Sequence, residues 1–207
     1  MSDTTQSPVP DFENRDPNSP AFWNERFEQH FMPWDQAGVP SAFQSFASRH
    51  TGKAVLIPGC GSAYEAAWLA EHGSPVRAID FSQAAVAAAR AQLGEQHAEL
   101  VEEADFFTYE PPFRPAWIYE RAFLCALPLA RRVDYARRMA DLLPAGALLA
   151  GFFFFGTTPK GPPFGIERGQ LEALLTPFFE LLEDEPVTDS IAVFAGRERW
   201  LTWRRRA

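Results

Sequence analysis

Two hydrophobic periods alternate along this chain, and the places where one gives way to the other mark its elements. Val55, Leu56 and Ile57 form a short apolar run that predicts a strand, and Pro58-Gly59-Cys60-Gly61 reads as a tight turn. Ser62 to His72 then predicts a helix, with Ala66, Ala67, Leu69 and Ala70 available for packing and Gly73 as its stop. A second strand, Val76 to Ile79, ends in the acid Asp80. Gln83 to Leu93 is an alanine-rich helix with Ser82 as N-cap. Leu100 to Ala104 predicts a third strand leading into Asp105-Phe106-Phe107, and Trp117 to Leu124 a fourth. Leu129 to Leu142 reads as a helix closed by Pro144 and Gly146, and Ala147 to Phe155 as an apolar strand buried on both faces. Strands alternating with helices predict an α/β fold built on a parallel sheet.

The two ends depart from that rhythm. After a Gly/Pro loop over 156–165 and a helix over 167–178, two apolar-alternating stretches, 180–187 and 198–204, have no helix between them. They pair most simply as an antiparallel hairpin at one sheet edge. Residues 1–20 are rich in Ser, Pro, Asp and Asn without apolar periodicity and are expected to form a mobile arm, leaving 21–207 as a single domain. Trp23, Phe27, Phe31 and Trp34 recur at spacings of 4, 4 and 3, so a helix from about residue 20 gathers them on one face before Pro33 ends it. Such a face either docks on the core or forms an aromatic lid over a ligand. A second N-terminal helix, near Ser41 to Arg49, packs through Phe43, Phe46 and Ala47.

The unit from Val55 to Ser82 reads as strand, glycine turn, helix, strand, carboxylate, which is the layout of a nucleoside-cofactor site. Gly59 and Gly61 let backbone approach a ligand where open parallel sheets bind them, and the helix that follows points free N–H groups at a carboxylate or phosphate. Asp80, 19 residues past Gly61, stands where it can accept from both ribose hydroxyls. A dinucleotide fingerprint wants Gly or Ala five residues after its first glycine, and Tyr64 is there instead. Nicotinamide is therefore disfavoured. S-adenosylmethionine, which has no pyrophosphate, fits better.

Composition narrows the class. At 207 residues and 46% hydrophobic content the chain suits one well-cored domain. Its formal charge of −8 argues against a nucleic-acid surface, with Arg204-Arg205-Arg206 read as a solubilising end to the last strand. Cys60 and Cys125 make no disulfide framework, and the start of the chain lacks a charged segment followed by an apolar core. The longest apolar run falls far short of the roughly 20 residues a membrane span needs. A soluble, cytoplasmic protein is expected, without a nucleic-acid or membrane partner and either monomeric or weakly dimeric. His30, His50, His72 and His97 are scattered without ligand spacing, so no metal is expected.

Several segments taken together, FWNERFEQHFMPWDQAGVP, VLIPGCG, AIDFS, EADFFTYEP, YERAFLCALP, RRVDYARRMADLLPAG and the GPPF loop, resemble the thiopurine, thiol and thiocyanate or halide S-methyltransferase family. They run from residue 22 to 164. The resemblance implies a class I methyltransferase of Rossmann-like three-layer design, with a seven-stranded, mostly parallel sheet whose last strand is antiparallel. It implies S-adenosylmethionine as donor, S-adenosylhomocysteine as product and a small thiol or other soft nucleophile as acceptor.

The resemblance also implies roles by position. Trp23 and Phe27 match aromatics that close over the donor, and Trp34 matches one facing the acceptor. Gly59 and Gly61 lie in the donor turn, Asp80 matches the ribose acid, Asp105 and Phe106 match the pair flanking adenine, and Arg121 matches the arginine that reaches the donor site. An acid common in the wider fold two residues before the first glycine is Ile57 here, and Glu120 replaces a more usual Asp. The loop FFFGTTPKGPPFG offers no His, Tyr, Asp or Glu to an acceptor. Arg121 could also attract an anionic acceptor, or pair with Glu120. The cysteines read as small packing residues rather than nucleophiles. Thiopurine or chalcogen acceptors, a non-catalytic donor-binding domain and a nicotinamide oxidoreductase stand as alternatives.

Overall fold

The computed structural model describes residues 10–158 and 160–207. Seven strands form one sheet: β1 (Val55–Pro58), β2 (Val76–Asp80), β3 (Val101–Glu103), β4 (Trp117–Arg121), β5 (Leu148–Phe154), β6 (Phe179–Pro186) and β7 (Glu198–Arg205). Their order is β3-β2-β1-β4-β5-β7-β6. Pairings among β1 to β5 are parallel, whereas β7 runs antiparallel to both β5 and β6. The expected hairpin is present, with β6 at the edge and β7 inside the sheet. The terminal arginines tie it down: Arg204 pairs with Glu180 at 2.6 Å, and Arg205 donates to the Ala140 carbonyl at 3.0 Å.

Strand alternation builds the three layers. Leu56, Ile79, Ile118, Leu149, Phe153, Leu201 and Trp203 point to one face, where they meet Tyr135 and Met139 of α5 (Arg132–Leu142) and Leu171 and Leu175 of α6 (Arg168–Leu175). The neighbouring positions Val55, Ile57, Ala78, Trp117, Tyr119, Phe152 and Trp200 point to the other. There they meet α2 (Ser41–Arg49), α3 (Tyr64–Glu71) and α4 (Gln83–Leu93) through Phe43, Phe46, Ala66, Leu69, Val86 and Ala89. Phe43 and Phe46 are almost fully buried against Trp117, and each such side chain contributes roughly 1.5–3 kcal/mol. Ser82 caps α4 as expected, its hydroxyl oxygen accepting from the Ala85 N–H at 3.1 Å.

Three of the boundaries that differ from expectation lie at or beside a non-glycine residue with positive φ. α3 starts at Tyr64 rather than Ser62 because Ala63 is left-handed (φ 55°). β4 stops at Arg121 rather than Leu124 because Ala122 is left-handed (φ 56°). α1 (Pro20–Glu28) ends well before Pro33: His30 takes φ 53° and the Phe31 N–H reverses onto the Arg26 carbonyl at 2.9 Å. Trp34 is therefore a loop residue folded back onto the helix, and Phe31 leaves the stripe to pack on Phe12.

The mobile arm expected over 1–20 needs a correction where it can be seen; residues 1–9 lie outside the described residues. Phe12 is buried, and the Glu25 carboxylate accepts from the Glu13 and Asn14 N–H groups at 2.7 and 2.9 Å. The Arg26 guanidinium lies between the rings of Phe12 and Phe22, 4.1 and 3.3 Å from their centroids. The single apolar residue Phe12 carries too weak a period to register in sequence, yet it anchors this segment.

Candidate active site

Strand order reverses between β1 and β4, and a cavity of about 910 Å³ opens at their carboxyl ends, the switch point where open parallel sheets take ligands. Trp23, Phe27, Trp34, Gly59, Gly61, Asp80, Asp105, Phe106 and Arg121 all line it. Residues from Trp23 to Arg121, 98 positions apart in sequence, thus converge on one space.

Asp80 ends β2 with its carboxylate turned back to the glycine turn. Oδ2 accepts from the Gly61 N–H at 3.1 Å and Oδ1 from the Ser82 N–H at 3.0 Å. Each oxygen keeps acceptor capacity toward the cavity. Burial raises its pKa to about 6, against the pull of these N–H groups.

The bareness of Gly59 answers to a protein side chain. A Cβ there would stand 2.5 Å from Cδ2 of Phe123, and the residue has φ 59°. Phe123 is held in turn by Glu120, whose Oε1 accepts from the Phe123 and Leu124 N–H groups at 2.9 and 3.0 Å while Oε2 accepts from Tyr135 Oη at 2.6 Å. Glu120 thus serves the turn after β4. Burial lifts its pKa to about 7, opposed by the Tyr135 hydroxyl and the two N–H donors. Phe106 and Asp105 are placed by the same packing: Phe106 is buried edge-on to Phe123, and Asp105 Oδ1 accepts from the Phe107 N–H at 2.9 Å.

Trp34 packs edge-on against Trp23 and Phe27, with centroids 5.6 and 6.4 Å apart, so the aromatic segment forms one wall. Two polar side chains that the sequence did not single out, Asn24 and Asp35, fasten it. Asn24 Oδ1 accepts from the Ser82 hydroxyl at 2.7 Å and from the Ala84 N–H at 3.2 Å, joining α1 to the start of α4. Asp35 accepts from the Ser62 hydroxyl in the glycine turn. These partners lie 27 to 60 residues apart, beyond any local pattern.

Arg121 does not pair with Glu120, because adjacent strand residues face opposite sides of the sheet. It lies over the Phe152 ring, 4.6 Å from the centroid, with Nε 4.0 Å from Glu65 Oε1, which also accepts from Tyr119 Oη at 3.1 Å. Glu65 and Tyr119 were missed as well; the one signal was an acid among the alanines of α3. Cys60 and Cys125 line the cavity, but burial raises both thiols, so neither is poised as a thiolate.

The sheet topology and the glycine-turn cavity with its carboxylate define a class I S-adenosylmethionine-dependent methyltransferase. The sequence model of the family described as Thiopurine S-methyltransferase (TPMT) matches residues 18–206, and the chain belongs to that family. It is 27% identical to Thiocyanate methyltransferase 1 of Arabidopsis thaliana, covering 88% of this chain and 84% of the relative. It is 30% identical to a Thiopurine S-methyltransferase of Vibrio cholerae, over 75% of this chain and 80% of the relative. Among solved structures, the 1,6-didemethyltoxoflavin-N1-methyltransferase of Burkholderia thailandensis, with bound S-adenosylhomocysteine, superposes with a TM-score of 0.74 at 16% identity, covering 100% of this chain and 99% of that one.

Proposed function

We propose that the enzyme methylates a small thiolate or comparable soft nucleophile, thiocyanate and halide included. The observation that carries this reading is the make-up of the cavity. Its walls are largely aromatic and apolar, its charged groups are the cations Arg15, Arg26, Arg121, Arg131 and Lys160 beside the acids Asp35, Glu65, Asp80 and Asp105, and no histidine lies among the described lining residues. Such a site attracts and dries an anion in a chain of net negative charge, and it suits an acceptor that arrives ionised.

The residues fit S-adenosylmethionine by the chemistry of their donor set. Asp80 offers two carboxylate oxygens to a diol, Gly59 and Gly61 leave the turn open, Asp105 and Phe106 suit a purine, and the rings of Trp23, Phe27 and Trp34 suit a cation. The cofactor supplies an activated methyl group on a sulfonium. The chain's part is orientation and exclusion of water: a well-held reacting pair is worth about 7–11 kcal/mol, and charges that cancel along the reaction path gain from a dry site. Work in the cytoplasm belongs to the same reading. The free thiols of Cys60 and Cys125 suit a reducing compartment, and no helix among the described residues is long and apolar enough to cross a membrane.

A screen of thiols, hydrogen sulfide, thiocyanate, halides, thiopurines and reduced chalcogen species for S-adenosylhomocysteine formation tests the proposal. Turnover concentrated on soft anions is the expected result, and methylation of oxygen or nitrogen acceptors alone would refute it. A thiopurine acceptor is the second reading, favoured by the cavity's volume of about 910 Å³; a chalcogen acceptor stands with it as an alternative that volume does not decide.

A further inference from the structure

The cavity runs across the ends of the strands, and its two sides are lined from different parts of the sheet. Gly59, Gly61, Asp80, Asp105 and Phe106 follow or end β1, β2 and β3. Beyond β4 the wall changes character. Ala122 and Cys125, from the turn after β4, meet Val193 and Phe194, from the connection between β6 and β7. Cys125 and Phe194 join Phe154 and Ile191 in a small apolar cluster, separate from the cores on the two faces of the sheet. Trp34 packs against this cluster while its ring also meets Trp23 and Phe27, so it stands between the two sides. Phe194 is 3% exposed, its ring 5.2 Å from that of Phe154, and it still lines the cavity. Its N–H donates to the Ile191 carbonyl at 2.9 Å and its carbonyl accepts from the Arg197 N–H at 3.0 Å. The connection is pinned near its start by Asp189, whose Oδ2 accepts from the N–H and hydroxyl of Ser41 at 3.0 and 2.7 Å. A ring held by both backbone and packing yields little to an incoming ligand.

We propose that Phe194 determines acceptor specificity in this enzyme, its ring setting the largest nucleophile that can bring its sulfur to the methyl group. The inference rests on the thiol-methylation reading above and deepens it. With the donor on the glycine-turn side, the acceptor is left the side bounded by Trp34 and Phe194. The cluster there is apolar apart from the Cys125 thiol, which donates to the Ala122 carbonyl at 3.4 Å. A wall of that kind discriminates by volume rather than by hydrogen bonds, and one methylene gained or lost in such a pocket changes selectivity roughly 10–200-fold. Because Phe194 comes from the far end of the sheet, its size can change the acceptor limit without touching the glycine turn or Asp80.

Steady-state kinetics on the full chain with hydrogen sulfide, thiophenol and 2-naphthalenethiol as a size series tests this, beside calorimetry with S-adenosylhomocysteine. Phe194→Ala is expected to raise kcat/KM for 2-naphthalenethiol relative to hydrogen sulfide by roughly tenfold or more and to leave S-adenosylhomocysteine affinity within about twofold. Val193→Phe adds bulk at the half-buried neighbouring position without emptying the cluster, so it keeps the test open if Phe194→Ala does not fold. It should move the same ratio in the opposite direction by a similar factor. A ratio within about twofold of the unmutated enzyme's in the folded variants would overturn the proposal even if overall activity fell. So would a loss of S-adenosylhomocysteine affinity equal to the loss of turnover, which would make Phe194 a support of the whole cavity. An unmutated chain that binds S-adenosylhomocysteine and methylates no member of the series would instead refute the thiol reading, and this proposal with it.

Discussion

The carboxamide oxygen of Asn24, on the N-terminal helix, meets the hydroxyl of Ser82, the residue that caps α4, at 2.7 Å. The same oxygen accepts the Ala84 N–H at 3.2 Å, so the aromatic wall and the start of α4 are joined by one side chain. Asn24→Ala is expected to cost about 1–2 kcal/mol in urea unfolding and to weaken S-adenosylhomocysteine, because the wall carrying Trp23 loses its fastening. Asn24→Asp keeps the acceptor at a helix N-terminus and should restore most of both.

On the proposed reading Asp80 sets a pH limit on donor binding. Its pKa of about 6 means that below this pH a proton occupies one of the carboxylate oxygens that this reading offers to the ribose hydroxyls. Binding to the ionised form draws the pKa down, so affinity for S-adenosylhomocysteine should fall as pH drops through about 6, by at most tenfold per pH unit from this group. Asp80→Asn should bind weakly and lose that share of the slope in a calorimetric pH series.

Glu120 and Tyr135 govern stability on the opposite face. The folded-state pKa of Glu120, about 7, lies above its ordinary value of 4.5, and that of Asp80 lies above 3.8. The unfolded chain therefore ionises first, and these two groups make stability fall as pH rises from about 4 to 7 and level off beyond. Glu120→Gln should flatten the upper part of that fall in urea midpoints measured from pH 5 to 8. Tyr135→Phe, which leaves a buried Glu120 oxygen without its donor, should cost about 1–3 kcal/mol, most at pH 8.

Gly59 and Phe123 compete for the same space. Gly59→Ala is expected to lose about 1 kcal/mol from the left-handed backbone alone and more from displacing the Phe123 ring. Gly59→Ala with Phe123→Leu should recover the second part and leave the first, a non-additivity readable in thermal unfolding of the single and double variants.

The elements and the glycine turn were legible because they rest on local signals. The apolar run at Val55–Ile57, the glycines at 59 and 61, the Ser82 cap and the acid ending β2 each lie within a few residues of what they determine. The N-terminal aromatics were legible in type and mistaken in form: their helical spacing promised one long helix, but the chain reverses at His30, and it is packing that gathers Trp23, Phe27 and Trp34. Phe12 in the supposed arm, and the left-handed turns at Ala63 and Ala122, gave no local sign at all.

By itself, then, the sequence determined the strand and helix periods, the parallel core with its closing hairpin, and the position of the carboxylate beside the glycine turn, since hydrophobic spacing and backbone chemistry act over one or two turns. Only the tertiary structure decided that Asn24 fastens α1 to α4, that Gly59 makes room for Phe123, that Glu120 turns away from Arg121, and that Glu65 faces the cavity. Those outcomes depend on which side chains meet across the sheet and between distant segments, and burial then sets their charges, neither of which is encoded in any short window of the chain.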